Sequence, residues 1–151
     1  MSARAIGAAV ALSVMLSACG GAGVAEAKGS KMQADATAVA KRIGLAVPAD
    51  ATVELAQTID GRDNAARLVF VMPEARWVAW RAQIAPAGSE QPTFTAAENY
   101  ELGDDEGDWA PGKAAGLQTA QLRWRGSEAL NIGFAPAGEG RVRVWLFWFQ
   151  T

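Results

Sequence analysis

Apolar side chains recur at helical spacing in two segments of the chain. In residues 32–43 they mark a single helix face, at Ala36, Val39, Ala40 and Ile43. Gly44 follows and is placed to end that helix. In residues 73–84 the same spacing gives Trp77, Trp80 and Ile84, and Pro73 suits the first position of a helix. The pattern therefore predicts two amphipathic helices.

Strands are predicted where the spacing changes to period two. Residues 52–59 alternate, with Val53, Leu55 and Ile59 expected on one face. Residues 68–72 are apolar throughout, which indicates a central strand, and residues 60–64 form the turn of a hairpin. Three alternating segments near the end of the chain, joined by turns at 126–128 and 136–140, predict a meander.

Residues 85–118 show no clean period and include several prolines, although a short strand is expected within 93–102. The predicted fold class is α+β. We expect an antiparallel sheet, made of the N-terminal hairpin and the C-terminal three-stranded meander, with the two helices packed on one face.

One face of the meander is a candidate partner-binding surface. Matching the apolar faces places Ile132 beside both Leu122 and Val144, and Gly133 and Ala135 are then expected to leave a shallow trough on the opposite face. That opposite face carries Arg123, Arg143, Trp145, Phe147 and Phe149. Guanidinium groups match carboxylate and phosphate geometry. The simpler alternative is a solvated face whose arginines keep the sheet soluble.

The last strand is apolar on both sides and so needs two covers. The helices supply one, and we expect residues 85–118 to supply the other, with Trp109 as its plug. The alternative cover is a partner protein, because a large exposed apolar patch rimmed by arginine marks an interaction site. Trp80 and Trp148 are both expected in the core.

The amino-acid composition excludes several kinds of catalytic and metal site. Of 151 residues half are apolar, which suits one core, and the formal charge of −2 argues against a nucleic-acid partner. The chain has no histidine and one cysteine, Cys19. These counts exclude Ser-His-Asp triads, Cys-His dyads, Cys/His zinc sites and disulfides within the chain. No catalytic residue and no cofactor is predicted.

Residues 98–108 form an acidic segment. Asp104, Asp105, Glu106 and Asp108 are the weak candidates for calcium ligands, because Ca²⁺ prefers several oxygen ligands. Their spacing is not that of an EF-hand. Paired carboxylates also serve sugar hydrolysis, provided that one of them lies in an apolar pocket. A solvated acidic loop is the simpler interpretation.

A short apolar run, residues 5–16, follows Arg4 and ends at Leu16-Ser17-Ala18-Cys19. A charged start, a short apolar core and small residues indicate a secretory signal, since a spanning helix needs about 20 apolar residues. The last four residues resemble the lipobox of bacterial lipoprotein precursors. This resemblance implies cleavage before Cys19 and acylation of Cys19, palmitate included. Gly20 is not the aspartate of an inner-membrane retention signal, which favours an outer membrane where the host has two.

We therefore expect a signal peptide at 1–18, a lipidated N-terminus and flexible tether at 19–31, and a single α+β domain at 32–151. The predicted function is a membrane-anchored cell-envelope lipoprotein, exported and facing the periplasm or the cell surface. It would be a non-catalytic binding or assembly module for another envelope protein or polymer. The alternative is a small hydrolase or calcium-dependent enzyme that uses the acidic loop 98–108.

Overall fold

The computed structural model describes residues 30–61, 64–85, 90–96 and 101–151, with the backbone alone for residues 30–33. The expected signal peptide, Cys19, most of the expected tether and Glu98 lie outside these residues. The strands are β1 (Ser30–Gln33), β2 (Thr52–Asp60), β3 (Ala65–Pro73), β4 (Thr95–Ala96), β5 (Gln118–Arg123), β6 (Glu128–Pro136) and β7 (Arg141–Gln150). The helices are α1 (Ala36–Ile43) and α2 (Glu74–Arg81), and a 3₁₀ turn covers Pro111–Lys113.

The strands form a seven-stranded sheet in the order β1-β2-β3-β7-β6-β5-β4, and each pairing between neighbours is antiparallel. This confirms the α+β class with an antiparallel sheet. The hairpin β2–β3 and the meander β5–β6–β7 are joined where β3 pairs with β7. The central position of β3 was expected, and all its residues except Pro73 are buried. Strand β4 is the short strand expected within 93–102.

Helix α1 begins later than the apolar spacing predicts. Asp35 is its N-cap and accepts a hydrogen bond from the Ala38 amide at 3.0 Å. Gly44 ends the helix as expected, in the left-handed conformation at φ 83°. Met32 instead belongs to β1, whose backbone pairs with β2 from Ser30 onward. Residues 30 and 31, which were expected to end the tether, therefore belong to the sheet.

Helix α2 is also shorter than predicted. Pro73 is its N-cap and the last residue of β3, and the helix ends at Arg81. Trp77 is buried, whereas Trp80 is half-buried, with its indole Nε1 donating to the Ala46 carbonyl at 3.1 Å. The core role expected of Trp80 is therefore only partial. Within the described parts of the chain, no helix has the length and apolar character to cross a membrane.

The buried apolar residues form two clusters. The helix-side cluster includes Val39 and Ile43 of α1, Trp77 of α2 and, from β7, Val144, Leu146 and Trp148. Trp148 is 2% exposed, so its expected core position is confirmed. The loop-side cluster consists of Leu55, Val69, Leu102, Trp109, Ala135 and Trp145. Because successive strand residues point to opposite faces, β7 contributes to both clusters.

A β-bulge in β2 separates two residues that the period-two pattern placed on one face. Val53 lies opposite Phe70, whereas Leu55 lies opposite Val69, and Glu54 is the extra residue between them. Val53 is 36% exposed and Leu55 belongs to the loop-side cluster. The extra residue reverses the alternation of side chains between the two faces. The prediction that Val53 and Leu55 share a face is therefore wrong.

The expected strand register in the meander is also wrong. Ile132 pairs with Ala120 and Leu146, not with Leu122 and Val144. Two tight turns set the observed register. In one, Glu128 N donates to the Arg125 carbonyl at 2.8 Å; in the other, Arg141 N donates to the Gly138 carbonyl at 2.9 Å. Arg123 of β5 consequently pairs with Ala129 of β6, which pairs on its other side with Phe149 of β7. This position is far along the sheet from Arg143.

Candidate functional site

Residues 101–117, here called the covering loop, pack over the face of the sheet that carries Trp145. Trp109 is fully buried in the loop-side cluster, and its indole Nε1 donates to the Leu102 carbonyl at 3.1 Å. Glu106 and Trp109 exchange two backbone hydrogen bonds that fold the loop around the indole. The prediction that residues 85–118 supply this cover, with Trp109 as the plug, is confirmed for residues 101–117 only. Phe94 packs instead with the helix-side cluster.

The trough expected at Gly133 and Ala135 is filled by the covering loop. A Cβ atom on Gly133 would overlap Leu102 Cδ1 and lie 3.2 Å from Leu117 Cδ1. These leucines pack directly on the strand backbone, which only glycine permits at this distance. Beside them, the Asn131 amide donates to the Glu101 carbonyl and fastens the start of the loop.

Arg67 is the buried cation beneath the covering loop. Its Cζ lies 4.8 Å from the ring centroid of Trp109 and 5.5 Å from that of Phe147. Its Nη1 lies 3.7 Å from a Glu106 carboxylate oxygen. Burial lowers the pKa of the Arg67 guanidinium, and the charge of Asp104 acts in the opposite direction. The arginine thus joins the loop to the sheet through aromatic rings and an ion pair.

Sequence reasoning did not select Arg67 as a site residue. The available signal is a single charge inside Ala65–Pro73, a strand otherwise made of apolar residues and proline. A charged residue in such a strand must find partners when it is buried. Here the partners come from residues 101–117, which are distant in sequence.

The acidic residues of the loop have separate surroundings. Asp105 accepts a hydrogen bond from the Gly112 amide at 2.9 Å, Glu106 pairs with Arg67, and Asp108 lines a cleft. All of Asp104, Asp105, Glu106 and Asp108 are exposed. Among the described residues, no group of three or more His, Cys, Asp or Glu side chains has an arrangement that could hold a metal ion.

The five residues of the candidate partner-binding surface do not form one surface. Trp145 is 3% exposed beneath the covering loop. Arg143 donates two hydrogen bonds to the Glu54 carboxylate, at 2.7 and 3.0 Å. These bonds raise the pKa of the Arg143 guanidinium, against a smaller opposing effect of burial. Arg143 is therefore already engaged within the domain.

Phe147, Phe149 and Arg123 lie towards the other end of that face. The two phenylalanines are half-buried, with ring centroids 5.2 Å apart. Arg123 is exposed and shares a depression at the edge of β5 with Phe149 and Leu122. Within the described residues no hydrogen bond or ion pair engages the Arg123 side chain.

Comparison with protein-family models, curated proteins and solved structures gives no match.

Proposed function

We propose that this protein is a lipid-anchored cell-envelope lipoprotein whose domain binds a partner and performs no catalysis. The observation that carries the proposal is Leu16-Ser17-Ala18-Cys19 at the end of the apolar run. Sheet strand β1 begins at Ser30. A fully extended chain spans at most about 3.5 Å per residue, so the domain stays within roughly 40 Å of the lipid on Cys19. We place it at an outer membrane where the host has two membranes.

The chemistry of the covering loop favours binding over hydrolysis. An acid catalyst among paired carboxylates needs an apolar pocket that raises its pKa. Asp104, Asp105, Glu106 and Asp108 are all exposed. With no histidine in the chain and its one cysteine assigned to the lipid, the alternative enzyme would have to work with carboxylates alone.

We infer that both helices cover one face of the sheet, because Val39, Ile43 and Trp77 share one cluster with Leu146 and Trp148. The covering loop then occupies the centre of the other face and leaves Arg123 beside Phe149 at its margin. A half-buried aromatic ring next to an unpaired arginine has the composition of a protein interface. We propose this margin as the partner contact.

The anchor is tested by Cys19→Ala. We expect the variant to leave the membrane fraction or to remain unprocessed, because two or three acyl chains hold a protein firmly and none holds it at all. Ser17→Ala, which keeps the cysteine and a small residue beside it, is the matched control and should stay membrane-bound. Mass spectrometry of the wild-type N-terminus should show acylated Cys19. An unmodified terminus at another residue would contradict the proposal.

The partner contact is tested by a photo-reactive residue in place of Arg123, with Lys41 as the control position. Both side chains are exposed. We expect cross-links to an envelope protein or polymer from the first position only, in intact cells. Arg123→Glu should weaken capture of the same partner by tenfold or more, as for a charged contact worth about 1.5–3 kcal/mol, with an unchanged melting temperature. Equal cross-linking from both positions would exclude this margin.

A further inference from the structure

A second feature of the loop-side face is a cleft of about 650 Å³ between the covering loop and the sheet. Its bottom is formed by Leu55, Val69 and Trp145, and its loop wall by Ala110 and Ala114. The volume falls within the range of ligand sites, roughly 300–1,000 Å³. The small side chains of the loop wall keep the cleft open above an apolar floor.

The bulge in β2 places one charged pair at this cleft. Because Glu54 is the extra residue, it reaches the same side of the sheet as Leu55 and meets Arg143 from β7. Both oxygens of Glu54 accept from Arg143, and the Arg143 Cζ lies 6.0 Å from the Trp145 ring centroid. The pair is neutral as a unit and held in a fixed bidentate geometry.

The covering loop adds one more charge of each sign. Lys113 and Asp108 both line the cleft and both are exposed. Within the part of the chain that the structure describes, neither side chain has an ion-pair or hydrogen-bond partner. The cleft therefore combines a free cation, a free anion and a neutral pair above an apolar floor.

We propose that this cleft binds a short zwitterionic peptide, with its carboxylate at Lys113, its ammonium group at Asp108 and an apolar side chain between them. A purely cationic ligand would be repelled by Lys113 and a purely anionic ligand by Asp108, whereas the Glu54–Arg143 pair is neutral as a unit. A ligand with both charges meets a complement for each. This proposal goes beyond the partner contact proposed at Arg123, because the cleft is a separate site that shares none of that contact's residues.

The test is isothermal titration calorimetry of the full chain in detergent, with the tripeptide Ala-Leu-Ala as the probe. Three forms are compared: both ends free, N-acetylated, and C-amidated. We expect binding of the free form and about a tenfold loss on blocking either end, the size of a charge-assisted hydrogen bond. No heat with the free peptide at millimolar concentration, or equal affinity for all three forms, would overturn the proposal.

Variants then assign each end of the peptide. Lys113→Gln should weaken binding of the free peptide about tenfold and abolish the difference between the free and C-amidated forms. Asp108→Asn should abolish the difference between the free and N-acetylated forms. Lys41→Gln, an exposed lysine on α1, is the control and should change nothing. Differences that survive both variants would place the peptide elsewhere. Membrane release of Cys19→Ala is independent of these titrations, so failure of the anchor and failure of the cleft are distinguishable.

Discussion

Trp148→Ala is expected to lower the free energy of unfolding by about 3–5 kcal/mol, the usual cost of truncating a buried tryptophan. Trp148 is 2% exposed in the helix-side cluster. Its indole Nε1 donates to a Glu128 carboxylate oxygen at 3.0 Å, and Arg42 lies 5.5 Å over the ring. The substitution removes the apolar contacts and leaves Glu128 with one donor fewer. Such a loss is a large fraction of the stability of a single domain.

Trp80→Ala is the matched control for this measurement. Trp80 belongs to the same apolar region, but it is half-buried, so its truncation removes less buried area. Chemical denaturation of both variants should show a clearly smaller loss for Trp80→Ala. Equal losses, or a smaller loss for Trp148→Ala, would contradict the deeper burial of Trp148.

The second large effect is expected at the covering loop. Trp109→Ala should cost about 3–5 kcal/mol, mainly as easier opening of residues 101–117. Trp109 is fully buried, and its ring is one of the two that flank the buried Arg67 guanidinium. Without the indole, the loop loses its apolar anchor and Arg67 loses one of its aromatic partners. The sheet itself keeps the helix-side cluster.

Hydrogen exchange measures this opening. The amides of Glu106, Trp109 and Gly112 are hydrogen-bonded within the loop, and we expect them to exchange roughly two to four orders of magnitude faster in Trp109→Ala. Trp109→Phe keeps an aromatic ring but loses part of the buried indole and the bond to the Leu102 carbonyl, so its effect should be clearly smaller than that of Trp109→Ala. Unchanged exchange in Trp109→Ala would show that other contacts hold the loop.

Local chemistry was sufficient to predict much of the fold. The apolar spacing of residues 36–43 predicted α1, and Gly44 ends it because glycine adopts the left-handed conformation without strain. The fully apolar residues 68–72 predicted a central strand, because only a strand covered on both faces favours such a composition. The same reasoning, applied to β7, predicted that a second cover was needed and that Trp109 would belong to it.

Other features were decided by pairing between distant segments. Period-two alternation assigns each residue to a face, but a strand shifted by two residues keeps the same faces. The tight turns at 125–128 and 138–141 therefore decided the register. The bulge at Glu54 exists only relative to β3, and it placed Glu54 beside Arg143. A pattern within one strand contains no information about either.

By itself, the sequence determined the type of the main strands and helices after β1, the need for two covers on β7, the absence of histidine chemistry and the prediction of a lipid anchor at Cys19. The tertiary structure decided which charges meet. Arg67 is buried against Trp109, and Glu54 pairs with Arg143, while Arg123 stands apart at the edge of β5. The physical reason is that hydrophobic periodicity depends on neighbours a few residues apart. The partner of a charge is set instead by register and loop packing, which join residues far apart in the chain.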